Sequence, residues 1–212
     1  MPKIYDFKNV NKELYALKNE PVIIDIPELT YLAVEGKGNP NEQNGDYQKA
    51  VEVLYGIHYT IKMSKKGENM LKGYFDYVVP PLEGLWWLDT KEIFPIKDKS
   101  KFNWISLLRL PDFVTKDIFD WAIVEANKKK KIDTKKAQCL KIKEGLCVQI
   151  FHTGKFDDEP KTIKSLEDYI VNNNFINDIN SKRRHHEIYL SDPRKVDQSK
   201  MKTIIRLPVR KK

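Results

Sequence analysis

Apolar and polar positions along the chain fall into short runs punctuated by Gly, Pro, Asn and Asp, and the order of those runs occurs twice. PVIIDIPELTYLAVEGKG (21–38) reads as two β-runs joined at Pro27, followed by the loop GNPNEQNG (38–45). In DYQKAVEVLYGIHYTIKMSKKG (46–67), Tyr47, Ala50, Val51, Leu54, Ile57 and Ile61 recur at helical spacing. Gly56 weakens that helix, at a cost of about 1 kcal/mol relative to Ala. GYFDYVVPPLEGLWWL (73–88) reads as a strand, a Pro-Pro break and a second strand. FNWISLLRLP (102–111) is a further strand, and Pro111-Asp112 signals a helix over about 112–130. The last third returns to the opening order. CLKIKEGLCVQIFHTG (139–154) is two β-runs around Gly145, and DDEPKTIKSLEDYIVNNN (157–174) is an acid-capped helix with Pro160 in its first turn. RRHHEIYLSD (183–192) and KTIIRLPVRK (202–211) are two more strands.

Residues 21–88 and 139–211 therefore share paired β-runs, a helix and two strands, although few residues are identical. This order predicts an α+β fold built by duplication, with a ligand cleft between two pseudo-symmetric halves. Residues 1–20 read as an N-terminal arm, 21–212 as one domain, and 102–130 as a strand–helix insert.

Composition narrows the class. With 212 residues and 41% hydrophobic content the chain is globular. Its mean hydropathy is −0.58, and no apolar run approaches the ~20 residues of a membrane helix. MPKIYDFKNVNKEL has no apolar core of the secretory kind, so a cytoplasmic location is expected. Cys139 and Cys147 sit in strand-like apolar contexts that suit reduced core thiols. A net charge of +8 raises the question of nucleic acid. The dense run Lys128–Lys131 follows an amphipathic stretch, where cations suit a helix C-terminus. No DNA- or RNA-reading motif accompanies it, so no nucleic-acid partner is expected.

Metal and covalent chemistry find little footing. The histidines are His58, His152, His185 and His186. His185-x-Glu187 lacks the P-C-x-x-C partner of a zinc deaminase, and H-E-x-x-H is absent, so neither metal nor cofactor is expected. No nucleophile elbow occurs, and the Gly/Asn-rich loop lacks a P-loop ending. What remains is carboxylates and aromatics. In HHEIYLSD, alternation places His185, Glu187 and Tyr189 on one strand face and His186, Ile188 and Leu190 on the other. On this pattern Glu187 is either solvated or facing a ligand. Trp86, Trp87, Tyr55, Tyr59, Trp104 and Phe151 are the aromatics available to it. An acid among rings would attract a cationic or electron-poor molecule, or serve as a general base.

Longer stretches carry a resemblance. The text around Tyr55–Ser64, YFDYVVPPLEGLWW (74–87), RLPDFVTKDIFDWA (109–122), EGLCVQIFHTGKFDDEP (144–160) and HHEIYLSDPRK (185–195) resembles the GyrI-like small-molecule-binding family. The likeness runs from about 21 to 209, and is to the stand-alone bacterial branch, since no helix-turn-helix precedes it. The resemblance implies a tandem βαββ fold around a cleft that takes flat aromatic or cationic compounds. It implies that Glu187 is the ligand-facing carboxylate, with Trp86 or Trp87, Tyr55 and Tyr59 as cleft walls. Tyr189, Glu83 and His152 are further candidates. Some stand-alone members hydrolyse cyclopropanoid DNA-alkylating compounds, so a detoxifying hydrolase with Glu187 as catalytic group is expected. The competing expectation is a drug-sequestering or sensing module without chemistry.

Overall fold

The computed structural model describes residues 4–66, 70–89, 98–192 and 195–212. Its elements are α1 (Phe7–Val10), β1 (Val22–Lys37), α2 (Asp46–Met63), β2 (Leu82–Trp87), β3 (Asn103–Arg109) and α3 (Lys116–Lys130), then β4 (Ala137–Thr153), α4 (Glu159–Asn172), β5 (Phe175–Asn177), β6 (His185–Tyr189) and β7 (Lys202–Lys211). The strands pair antiparallel in the order β4-β1-β3-β2-β6-β7, and β7 returns to β4. Six strands thus close into a barrel, which removes most of the unpaired edges an open sheet would expose. β5 adds to the far end of β7. The class is α+β.

Several sequence expectations are corrected here. β1 and β4 are single long strands, not paired short runs. Pro27 interrupts neither, because it lies between the Ile26–Gly145 and Glu28–Lys143 pairs and outside the ladder, where a missing N–H costs nothing. Gly145, paired with Ile26 beside it, has φ +63°, a backbone angle that favours glycine. The stretch before Pro80 is not a strand; only Tyr77 bridges, to Tyr5. β3 is no part of an insert, since it pairs with β1 on one side and β2 on the other. α3 starts later than Pro111-Asp112 suggested, at Thr115, whose hydroxyl accepts from Ile118 N. Its lysine run does end the helix, with Lys131 as a left-handed cap. Cys147 is buried and free, but Cys139 is exposed and not a core thiol.

Two helical layers cover parts of the barrel's outer face. α2 lays Ala50, Leu54, Ile57 and Ile61 on Leu32, Val34, Trp104 and Leu108, with Phe119, Ala122 and Ala126 of α3 behind them. α4 packs Leu166 and Ile170 on Val148, Ile150, Ile205 and Leu207. β2 and β6 lie side by side in the barrel order between these two covered regions.

The barrel interior is packed, and it is charged. Arg206, 1% exposed, donates to Glu144 Oε1 (2.7 Å), to Gln149 Oε1 (3.0 Å) and to the Leu14 carbonyl (3.2 Å). Glu144 Oε2 lies 2.9 Å from His186 Nδ1, and the other ring nitrogen lies 2.9 Å from Glu83 Oε2. The N-terminal arm belongs to this core. Phe7, Leu14 and Tyr15 are buried, the Glu13 carbonyl accepts from Gln149, and Asn11 accepts from Arg109.

This network sets a pH window for stability. Burial alone would lower the His186 pKa, but the charges of Glu144 and Glu83 outweigh it and raise it to about 9. Burial would raise the Glu144 pKa, but His186 and Arg206 hold it at about 2. A histidine raised on folding contributes stability that is full below its unfolded pKa of ~6.5 and is lost as pH climbs through the folded value. Glu144 contributes in the opposite sense, fully above its ordinary range and lost only in strong acid. Urea unfolding should therefore show stability falling by a few kcal/mol from pH 6.5 to 9, and a flat profile over that range would contradict the assignment.

Candidate functional site

The outward face of β2 and β6 gathers the chemistry. Register pairs Trp86 with His185, Gly84 with Glu187, and Leu82 with Tyr189. The Glu187 carboxylate receives two hydrogen bonds: from His185 Nε2 at 3.0 Å (Oε1) and from the Tyr189 hydroxyl at 2.8 Å (Oε2). The Tyr189 oxygen accepts in turn from Trp86 Nε1 at 2.8 Å. Burial and the charge of Glu187 push the Tyr189 pKa far up, so the phenol keeps its proton and remains a donor. Gly84 is required beneath this chain. A Cβ there would stand 2.6 Å from Trp86 Nε1 and 3.0 Å from the Tyr189 oxygen.

Rings enclose the acid. Tyr47, from the first turn of α2, stacks on Trp86 with centroids 5.5 Å apart and meets Trp104 edge-on at 5.1 Å. Phe102 stands edge-on to Trp86, and Phe156 edge-on to Tyr189. Burial and then the Glu187 charge raise the Tyr47 pKa, which places its hydroxyl within the field of that carboxylate. Glu187 itself keeps about 12% of its side-chain surface open.

A second carboxylate lies within the electrostatic field of the first. Glu159 opens α4 and is 6% exposed, and its Oε1 has no hydrogen-bond partner among the described residues. Burial, then the negative charge of Glu187, then that of Asp157 push its pKa well above the carboxylate range, while Lys99 opposes the shift. Two acids thus interact in a partly dry region, and Glu159 is held toward its neutral form. Among the described residues no cluster of three or more His, Cys, Asp or Glu is arranged to hold a metal.

The structure brings together Glu187, Tyr189 and Trp86 from the candidates, with Trp104 one layer behind Tyr47. Tyr55 lies near Tyr47 and adds to the rise in its pKa, whereas Tyr59, four residues on, is 43% exposed. Trp87 faces the other way, under the Arg184 guanidinium at 4.5 Å. Glu83 and Phe151 are also turned away: Glu83 meets His186 inside the barrel, and Phe151 packs with the interior cluster around Ile188 and Ile204. His152 is tied to Thr162 (2.8 Å) and the Lys155 carbonyl (3.1 Å), where it braces α4 against β4. Glu159, Tyr47, His185, Gly84, Phe102 and Phe156 are members of the enclosure not anticipated as such. A depression of about 540 Å³ beside Asp25, Ile26, Pro27, Glu28 and Lys143 contains neither an aromatic ring nor these acids.

Comparison with known proteins bears on the fold and the family. A crystal structure of an uncharacterized conserved protein from Listeria innocua is 48% identical, with a TM-score of 0.91, covering 98% of this chain and 100% of that one. Two crystal structures of a hydrolase from Listeria innocua are 47% and 48% identical, with TM-scores of 0.88 and 0.90 over the same shares. EcmrR in a complex with DNA shares the fold at 14% identity and a TM-score of 0.56, covering 97% of this chain and 63% of that one. A search of curated proteins finds no match. Among the described residues no helix is long and apolar enough to cross a membrane. Residues 19–210 match the GyrI-like small molecule binding domain, and the chain belongs to that family.

Proposed function

We propose that this protein hydrolyses a planar electrophilic compound, of the cyclopropanoid DNA-alkylating class, held on the β2–β6 face. The element orders β1-α2-β2-β3 and β4-α4-β6-β7 support reading the chain as two βαββ halves. On that reading the enclosure lies between them, with Tyr47 supplied by one half and Glu159, Glu187 and Tyr189 by the other. The single observation that carries the proposal is the buried second acid, Glu159, set within the field of Glu187. A module that only captures cations needs negative charge. It has no use for a carboxyl group pushed toward its neutral form, whereas hydrolysis needs a base and an acid together. The hydrolase from Listeria innocua, at 47–48% identity, supports the same reading.

The chemistry assigns one role to each acid. Glu187, oriented by His185 and Tyr189, takes a proton from water as its oxygen bonds to the electrophilic ring carbon. The strained C–C bond breaks, its electrons pass into the conjugated carbonyl, and that oxygen takes the proton of Glu159. The product is the substrate plus one water, and proton exchange between the carboxyls and solvent resets the pair. Trp86, Tyr47 and Tyr189 hold the flat skeleton so that attack is effectively unimolecular.

Incubating a cyclopropane-containing alkylator with a trace of protein, followed by mass spectrometry, tests this. Many equivalents of water adduct per protein are expected; stoichiometric protection with unchanged compound would instead mean a binding module. Tyr189→Phe removes one donor from Glu187 and the acceptor of Trp86. Bonds to charged groups contribute about 1.5–3 kcal/mol, so turnover should fall roughly ten- to a hundredfold with the fold intact. A Tyr189→Phe protein as fast as wild type would show that the phenol does not position the base.

A further inference from the structure

Two single-turn 3-10 helices frame the enclosure, Lys99–Lys101 and Phe156–Asp158. The first leads through Phe102 into β3, and the Phe102 ring meets Trp86 edge-on at 5.6 Å. The second runs directly into α4, and its Phe156 ring meets Tyr189 edge-on at 5.7 Å. Lys99 Nζ ties the turns together by an ion pair to Asp157 Oδ1 at 2.9 Å, across 58 positions of sequence.

The two turns are not equally fixed. Asp98 caps the first, accepting from Ser100 N at 3.1 Å and from the Ser100 hydroxyl at 2.6 Å. The second has no side-chain cap, and its Phe156 is 37% exposed. The Asp157 side chain is 77% exposed and that of Lys99 32%. An ion pair this open to solvent contributes little to global stability and weakens with salt, so it can break without unfolding anything. The pair also borders the chemistry, because Glu159 follows Asp157 by two residues and responds to both charges.

We propose that Lys99 and Asp157 form a clasp that holds Phe156 over Tyr189, and that Phe156 is the specificity-determining ring of the site. A flat aromatic ligand enters by displacing Phe156 and takes its place against Tyr189. Compounds too short to reach both Trp86 and the position of Phe156 leave the clasp closed and bind poorly. This rests on the enclosure being the ligand site.

Hydrogen–deuterium exchange on the ligand-free full chain tests the clasp without any ligand. Lys99→Ala and Asp157→Ala should each raise amide exchange across 154–158 severalfold, and raised salt should do the same to wild type. The charge swap Lys99→Asp with Asp157→Lys should restore protection. Single variants that exchange at the wild-type rate would overturn the clasp. The role of Phe156 is read by stopped-flow fluorescence with ethidium, a planar aromatic cation. Phe156→Ala should raise both association and dissociation rates severalfold, and unchanged rates would overturn that role. Wild type that fails to bind ethidium, while exchange responds as expected, would overturn the ligand site and Phe156's role together and uphold the clasp.

Discussion

Glu187→Gln should leave a folded protein that still binds its planar ligand and turns it over at least about a hundredfold more slowly, the usual scale for loss of a general base. The amide keeps the shape of the side chain and its place between His185 and Tyr189. Both neighbours can adapt: the imidazole by presenting a bare Nε2 to the new N–H, the phenol by rotating its hydrogen. Packing is thus preserved while the ability to take a proton from water is lost. Glu159→Gln is the companion. Its acid must be protonated to work, so activity should decline as pH rises past its raised pKa, and the glutamine variant should lose that alkaline limb together with most of its rate. Steady-state rates across pH with a cyclopropane-containing alkylator decide the matter. Turnover that survives in Glu187→Gln would remove Glu187 from the mechanism.

Arg206→Met should be the most destabilising single change in the barrel. Removing one partner of a buried pair strands the other charge, at about 3–5 kcal/mol. For a domain of this size each kcal/mol moves the midpoint by roughly 2–4 °C, so thermal unfolding should begin some 6–20 °C lower, to an order of magnitude. The loss has three parts: Glu144 Oε1 and Gln149 Oε1 lose their donors, and the Leu14 carbonyl loses its tie to the arm. Replacing Glu144 by leucine in the same protein should recover part of the loss, because an apolar pair no longer leaves an unmatched charge. A melting temperature for Arg206→Met within a degree or two of wild type would mean the network is not what holds the interior.

The legible parts of the fold were the local ones. Period-two alternation in HHEIYLSD separated Glu187 and Tyr189 from His186 and Ile188 correctly, helical spacing found α2 because it buries one apolar stripe, and the acidic start with Pro160 found α4. Closure was not legible. The pairing of β4 with β7 joins residues about 50 to 60 apart in sequence, and nothing in either strand's own pattern announces its partner. The charged interior was hidden for a different reason. Glu83 read as a candidate beside the ligand, and nothing local marked Glu144 or Arg206; only their approach to His186 and to one another shows that they belong to one buried network. Glu159 looked like the acid that starts a helix, a role its position on α4 also fits. Its burial, invisible to any local pattern, separates the two meanings. Tyr47 was taken up into the core stripe of α2 and Gly84 into the strand after the Pro-Pro break. Both acquire meaning only from Trp86 and Tyr189, which reach them from across the sheet.

β6 carries its two sets of side chains over only five residues, with His185, Glu187 and Tyr189 outward and His186 and Ile188 inward. Its neighbours in a library of variants should therefore sort by parity. Odd positions should lower binding or turnover at the proposed site before they lower abundance in cells, and even positions should lower abundance first. A substitution can thus be directed at the proposed site or at the interior separately. An inserted or deleted residue has no such freedom, since it would exchange the two columns at once and lose both properties together.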